Sequence, residues 1–244
     1  EKTSNMKTQA LVLSALSYGD RQLIVDLFTR ECGRQSFIVQ ISAGRRGKMR
    51  KLLFQPLTYL DADFVQRQNR TLQRFSEVGI VRPWATLTSD PIKIQLVFFA
   101  AELLRYATRD EQQPQSLFDY VAESLQWLDK ADDGYANFHL VFMIRLTLFL
   151  GFFPNIETYH VGSCFDLRSG CFSMEIPAHA DFIRSDEAEQ MINLMRLNYS
   201  TMHLFRMTRL QRSRCVDVIL AYYRLHVPDF PDMKTLEVLR QNND

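Results

Sequence analysis

The densest chemistry in the chain is cationic. The run 43-AGRRGKMRKLLFQP-56 places Arg45, Arg46, Lys48, Arg50 and Lys51 within seven positions and carries no acidic residue. Side chains of like charge at that density suit a polyanion whose phosphates they neutralise. Gly44 and Gly47 read as loop residues that let the backbone approach a phosphate closely. Arg21, Arg34, Arg67, Arg70 and Arg74 come from neighbouring turns and strands and extend the patch, with Tyr18 and Phe37 as candidates for stacking on unpaired bases. A second cluster, 206-RMTRLQRSR-214, repeats Arg206, Arg209 and Arg212 every three residues; on a helix these sweep one side and offer a surface to nucleic acid or an acidic peptide.

Other chemistries have thinner support. The chain has no GxGxxG, no P-loop, no GxSxG and no HExxH. Asp61/Asp63 and Asp132/Asp133 are carboxylate pairs of the kind that hold magnesium, but Asp61 and Asp63 fall on the outer face of a strand and read as solvated surface. His160, Cys164, Cys171 and His179 bracket a short hairpin, and two thiolates with two imidazoles suit tetrahedral zinc. No C-x₂₋₄-C knuckle accompanies them, so the expectation is a hairpin without metal, and no cofactor is assigned. Cys32, Cys164, Cys171 and Cys215 are scattered, which fits free thiols in a reducing, cytoplasmic setting.

The elements that must position these residues change character along the 244 residues. Residues 1–83 hold 14 Lys and Arg against 7 Asp and Glu, net +7; residues 84–244 hold 15 against 21, net −6. A basic front joined to an acidic remainder assigns an anionic partner to the front. That front reads as strands at 8–16, 22–30, 35–41, 57–66 and 70–78, separated by turn chemistry at 17–20, 31–34 and 67–69, with Leu60, Ala62 and Phe64 facing a core. Five short strands in so little chain close most easily into an OB-like barrel, with the basic run joining the third and fourth strands. Residues 1–5 precede Met6 and are left out of this reading.

Beyond 83-PWATLTSD-90 the period becomes helical. Asp90 followed by Pro91 starts a buried helix at 91–109, followed by helices near 114–130 and 135–150, the last stopped by Gly151 and Pro154. Residues 156–182 lose the period and suggest a small hairpin turning at 168–170. Helices resume at 185–197, capped by Ser185, and at 208–226, ended by Pro228 and Pro231. The apolar run 138–153 is interrupted by Arg145 and is too short to span a bilayer, so no membrane role is expected.

Three stretches together resemble the bacterial RecO family of recombination mediators: 6-MKTQALVLSALSYGDRQLIVDLFTRECGR-34, the basic run with its following 52-LLFQPLT-58, and 137-NFHLVFMIRLTLFLGFFPN-155, with 222-YYRLHVPDFPDMKTLEVL-239 similar to that family's ending. The resemblance implies an α+β protein: an N-terminal OB-fold barrel over 6–83 and an α-helical domain over 84–244 with a hairpin insertion near 156–182. It also implies binding of single- and double-stranded DNA, annealing of complementary strands, and help to RecR in loading RecA onto DNA coated with single-stranded-DNA-binding protein. None of this turns over a covalent bond or a small-molecule substrate. The DNA-binding expectation falls on Arg45, Arg46, Lys48, Arg50 and Lys51. Zinc-bearing members carry four cysteines in the insertion where this chain has only Cys164 and Cys171, which favours the metal-free hairpin. The acidic tail of the coating protein is expected on the helical domain, and charge alone assigns it to Arg206, Arg209 and Arg212. The competing readings are a scaffold whose basic barrel binds an acidic protein, and a metal-dependent nuclease built on Asp61 and Asp63.

Overall fold

The computed structural model describes residues 3–67, 69–108 and 114–241, so the expected helix end at Arg109 and Gln68 of the expected 67–69 turn lie outside it. Two compact units divide the chain, Glu1–Lys130 and Ala131–Asp244.

In the first unit β1 (Thr3–Tyr18), β2 (Gln22–Thr29), β3 (Gly33–Gln40), α1 (Arg45–Leu52), β4 (Tyr59–Arg67), β5 (Leu72–Gln73) and β6 (Phe75–Ile80) follow in order. The strands are arranged β5-β3-β2-β1-β4-β6. Only Arg74 separates β5 from β6, so the two edges of the sheet are one run of chain and the sheet closes on itself. β5 pairs parallel with β3 through Ser36↔Leu72, and β6 pairs antiparallel with β4 through Leu60↔Ile80. Closure between the third and fifth strands, with a helix between the third and fourth, makes an OB-like barrel. β1 serves both sides: its first half pairs with β4 and its second with β2, and a register slip between Val12 and Ser14 lets it bend. Thr3, Ser4 and Asn5 pair with Arg67, Gln66 and Val65, so the strand begins ahead of Met6.

Alternation decides which side chains fill the barrel. Ala10, Val12, Val25, Leu27, Phe37, Val39, Leu60, Ala62 and Phe64 form its core, as the pattern at 57–66 predicts. The outer face is not left to water. Leu11, Leu13, Phe28 and Tyr59 are also buried, because α2 (Pro91–Ala107) and α3 (Gln115–Lys130) lie against the barrel. The Phe118 ring on α3 sits 5.6 Å from Phe28 and 6.1 Å from Tyr59. Arg30 pairs with Asp119 at 2.7 Å. Asp129, at the end of α3, accepts from the backbone N–H groups of Ala85, Thr86 and Leu87 and so fastens the crossing segment. The strand-to-helix change falls near residue 84, while the compact unit extends to Lys130 because these two helices complete the barrel's second layer. Asp90 caps α2 as its sequence indicates, accepting from Ile92 and Lys93 N–H, with Pro91 in the first turn.

The second unit is built on α4 (Phe138–Leu150), whose residues from Phe138 to Ile144 are all buried, as a helix apolar on every side must be. Gly151, at φ 86°, ends it. β7 (Cys164–Asp166), β8 (Cys171–Ser173) and β9 (Phe182–Ile183) form a small sheet ordered β8-β7-β9, one strand more than the expected hairpin. The turn between β7 and β8 needs glycine: a Cβ on Gly170, φ 68°, would lie 2.6 Å from the Tyr222 hydroxyl oxygen. That hydroxyl donates to the carbonyl of Phe152, and the Tyr223 hydroxyl donates to that of Met143. α5 (Ser185–Met195), α6 (Arg209–His226) and α7 (Thr235–Gln241) complete the unit. Ser185 is not the cap of α5: it is already helical, and Arg184 precedes the helix without a capping side chain. α7, which follows both prolines, has no counterpart in the sequence reading. Among the described residues no helix is long and apolar enough to cross a membrane.

Candidate nucleic-acid interface

The basic run is a helix rather than a loop. α1 spans Arg45–Leu52, and every residue in it except Gly47 is exposed. Gly44, at φ 82°, turns the chain into it. Gly47 is the contact point: a Cβ there would lie 1.8 Å from the Ser42 carbonyl oxygen, so only glycine lets this turn of helix seat on the preceding backbone. Behind the helix Phe54 enters the barrel core and Leu53 packs against it, whereas Leu52 stays exposed. One buried glycine and one buried phenylalanine hold the helix at its two ends, and the five cations face water. Among the described residues no carboxylate pairs with Arg45, Arg46, Lys48, Arg50 or Lys51. Five cations with no carboxylate partner among the described residues, set on two helical turns, make the most concentrated positive charge on this unit and the arrangement that phosphate neutralisation calls for.

The other predicted barrel cations do not all join it. Arg21 is exposed, and its carbonyl accepts from the Ile41 N–H at 2.8 Å, which places the β1–β2 turn beside the segment leading into α1. Arg70 is exposed in the β4–β5 turn, which pairing of Arg67 with Thr3 sets at the opposite end of β1. Arg74 is exposed between β5 and β6. Arg34 is not free for DNA: it pairs with Asp26 at 3.0 Å and donates to the Arg105 carbonyl at 3.1 Å. Burial pushes the Asp26 carboxyl up, but hydrogen bonds from Ser36 and Arg34 outweigh it and hold the group below its ordinary value. Phe37 is also not a stacking residue. It lies in the core, stacked on Phe75 at 4.1 Å and edge-on to Phe64 at 5.0 Å. Strand parity places it inward, a consequence its residue type does not reveal. Tyr18 is 57 % exposed at the end of β1.

In the second unit the three-residue arginine spacing does not mark one helix face. α6 starts at Arg209, capped by Thr208 in a reciprocal pair with Gln211, so Arg206 lies in the extended chain before it. Arg209 and Arg212 instead line a cavity of about 420 Å³ with Leu210, Val216, Leu236 and Leu239. Asn137 holds Arg212 in place, accepting from its Nε at 3.1 Å while its own amide donates to the carbonyls of Met202 and Phe205. Arg212 is half-buried, burial lowers its pKa, and no carboxylate among the described residues pairs with it. Arg209 donates to the Arg240 carbonyl and Arg240 pairs with Asp217. Arg214 points elsewhere and pairs with Glu187. Leu236, Leu239 and Arg240 come from α7, a helix too short, and too close behind Pro228 and Pro231, for its period to mark it in the sequence.

The zinc candidates do not converge. The Cys164 thiol donates to the carbonyls of Ser173 and Glu175, and His179 Nε2 lies 3.4 Å from Asp166. All four cysteines are free, and among the described residues no group of three His, Cys, Asp or Glu is placed to hold a metal ion. Asp61 and Asp63 share the outer face of β4, with Lys7 3.9 Å from Asp63.

A chain that runs from an OB-like barrel presenting a cationic helix into a helical unit with an arginine-lined cavity is an OB-barrel protein with a helical second unit. Residues 4–84 match the family model described as Recombination protein O N terminal, and residues 88–236 match that described as Recombination protein O C terminal. The chain is 43% identical over 235 residues to a DNA repair protein RecO of Phocaeicola vulgatus, covering 96% of this chain and 98% of the relative. It is 42% identical over 236 residues to the DNA repair protein RecO of Bacteroides fragilis, with the same coverage of 96% and 98%. A DNA repair protein RecO of Flavobacterium psychrophilum is 33% identical over 239 residues, 97% of this chain and 98% of the relative. The chain belongs to the RecO family, and with it to DNA repair and recombination.

Proposed function

We propose that this protein binds single- and double-stranded DNA through α1, anneals complementary strands, and helps RecR load RecA onto DNA coated with single-stranded-DNA-binding protein, in the cytoplasm and without turning over a covalent bond. The observation that carries the DNA reading is the set of five solvent-facing cations on α1 with no carboxylate partner among the described residues. Annealing asks for no catalytic group. Neutralising the phosphates of two strands on one surface removes the repulsion that opposes pairing and raises their local concentration. Arg21 and the exposed Arg70 and Arg74 offer further phosphate contacts along the barrel.

The cavity around Arg212 supports the second half of the reading. A half-buried guanidinium with no carboxylate partner among the described residues, set among leucines, suits a peptide end that combines negative charge with an apolar side chain, as the tail of the coating protein would. On this reading Arg209 and Arg212 contact the tail and Arg206 does not. Titration of binding to an unstructured oligonucleotide against salt tests the DNA reading. Affinity should fall steeply as salt rises; negligible affinity at low salt, or indifference to salt, overturns it.

A further inference from the structure

We infer that the first unit carries a seat for an unpaired nucleobase, separate from the barrel's strand faces, in the groove between α1, the segment after β6, and α2. The inference rests on the DNA reading of α1. The groove encloses about 440 Å³ and includes Leu52, Arg82, Trp84 and Phe98 in its lining, none of its lining residues being acidic. That volume falls in the range of small-ligand sites and accommodates a planar base.

Its walls are built for a flat ring. The Trp84 indole is fixed: its Nε1 donates to the Leu57 carbonyl at 3.0 Å, and Tyr59 stacks beside it at 6.1 Å between centroids and 13° between planes. Arg82 places its guanidinium 5.8 Å from the indole centroid and has no carboxylate partner among the described residues. Phe98, on the outer side of α2, is 44 % exposed and lines the groove, so its ring is open to a stacking partner there. Thr58, Gln55 and Thr88 add hydrogen-bonding groups of the kind that meet a base edge.

Continuity with α1 selects the occupant. Leu52 is both the last residue of α1 and part of the groove, and Lys48 lies one turn back on the same helix face, next to Lys51. A single strand whose phosphates follow the α1 cations therefore reaches the groove with its next base, whereas a duplex keeps its bases stacked away from it. Tyr18, exposed at the end of β1, is the barrel's remaining competitor for stacking. Phe37 is in the core, and Phe28 on the outer face is covered by Phe118.

The test compares three ligands of equal phosphate number on the full chain: an oligothymidylate, an abasic oligomer and a duplex. Wild-type protein should bind the oligothymidylate more tightly than the abasic oligomer. Phe98→Ala should lower the ratio of single-strand to duplex affinity by about fivefold or more, the lower end of what losing one stacked base does. Indole fluorescence should report oligothymidylate and not the abasic oligomer, and a Trp84→Phe variant should lose that signal while Trp127 remains. Equal wild-type affinity for oligothymidylate and abasic oligomer overturns the base seat and leaves α1 as a phosphate site. An unchanged ratio in folded Phe98→Ala overturns it as well, and so does capture of an apolar peptide that oligothymidylate fails to displace. Absence of binding to all three ligands at low salt overturns the DNA reading itself.

Discussion

On α1 the five cations project into solvent and have no carboxylate among the described residues, whereas the arginines within α6 are each held. Arg214 is held by Glu187, Arg212 by Asn137, and Arg209 by the carbonyl of Arg240. In sequence the two clusters look alike. In the folded protein, free and densely spaced charges suit a long, uniform polyanion that can slide, because each contact is interchangeable with the next. Arginines oriented by buried amides beside an apolar cavity suit one short ligand in one pose. The difference lies in what surrounds each guanidinium, and it predicts different responses to salt and to single substitutions.

The largest effect belongs to α1. Five phosphate contacts give a log–log salt slope of about −4.5 on duplex and about −3.5 on single strands, so a fourfold rise in salt weakens duplex binding by roughly 500-fold. Replacing Arg45, Arg46, Lys48, Arg50 and Lys51 by alanine should flatten that slope and lose a comparable factor at low salt, with the circular dichroism spectrum unchanged. A slope that survives the replacement moves the phosphate contacts off α1.

Gly47→Ala sharpens the same side of the comparison without removing a charge. Its Cβ would meet the Ser42 carbonyl oxygen at 1.8 Å, a backbone atom that cannot swing away. The helix must lift, at about 2–3 kcal/mol of stability as read by urea unfolding. DNA affinity should fall with it although all five cations remain. Lys48→Ala, one residue on, should change stability by no more than about 0.5 kcal/mol. Equal stability of the two variants would mean that α1 is not seated on Gly47.

On the other side, Arg212→Gln should weaken an acidic peptide with an apolar end by about tenfold or more, since it removes an oriented charge from a partly desolvated site. Arg206→Gln should change it by less than about twofold, as expected of an exposed charge away from the cavity. A peptide indifferent to Arg212 but sensitive to Arg206 would reverse the assignment. Isothermal titration with both variants decides it.

These predictions also mark what the sequence could and could not reveal. The first four barrel strands were legible because turn residues bracket short β-branched and aromatic runs, whereas the expected strand 70–78 breaks at Arg74 into β5 and β6; the inward set Leu60, Ala62 and Phe64 followed from a period of two. The Asp90–Pro91 start of α2 was legible because capping is local chemistry. α1 was misread because Gly44 and Gly47 look like loop residues; that Gly47 is a packing glycine depends on Ser42 folding back beneath it, which is tertiary information. Phe37 and Arg34 were misassigned for the same kind of reason. Residue type nominates a side chain for stacking or phosphate contact, while strand parity sent Phe37 inward and the neighbouring Asp26 claimed Arg34. The cavity escaped because a third of its lining residues come from α7, short and placed after two prolines.

A pH series tests the cavity from its floor. His139 on α4 is buried beneath Arg212, and burial first, then the Arg212 charge, lowers its pKa from 6.5 to about 3. The folded protein therefore keeps this imidazole neutral where the unfolded chain protonates it. Below pH 6.5 the unfolded state binds a proton that the folded state refuses, so stability declines as pH falls, by a contribution approaching ~1.4 kcal/mol per pH unit and ending near the folded value of about 3. Above 6.5 the group contributes no slope. His139→Phe should flatten urea midpoints measured between pH 6.5 and 5, because a neutral ring of similar size takes the site without a proton to gain. If wild type and variant decline in parallel, the imidazole is not held neutral. The cationic wall of the cavity would then be less insulated from solvent than a seat for one oriented anion requires, and the α6 arginines would belong with those of α1.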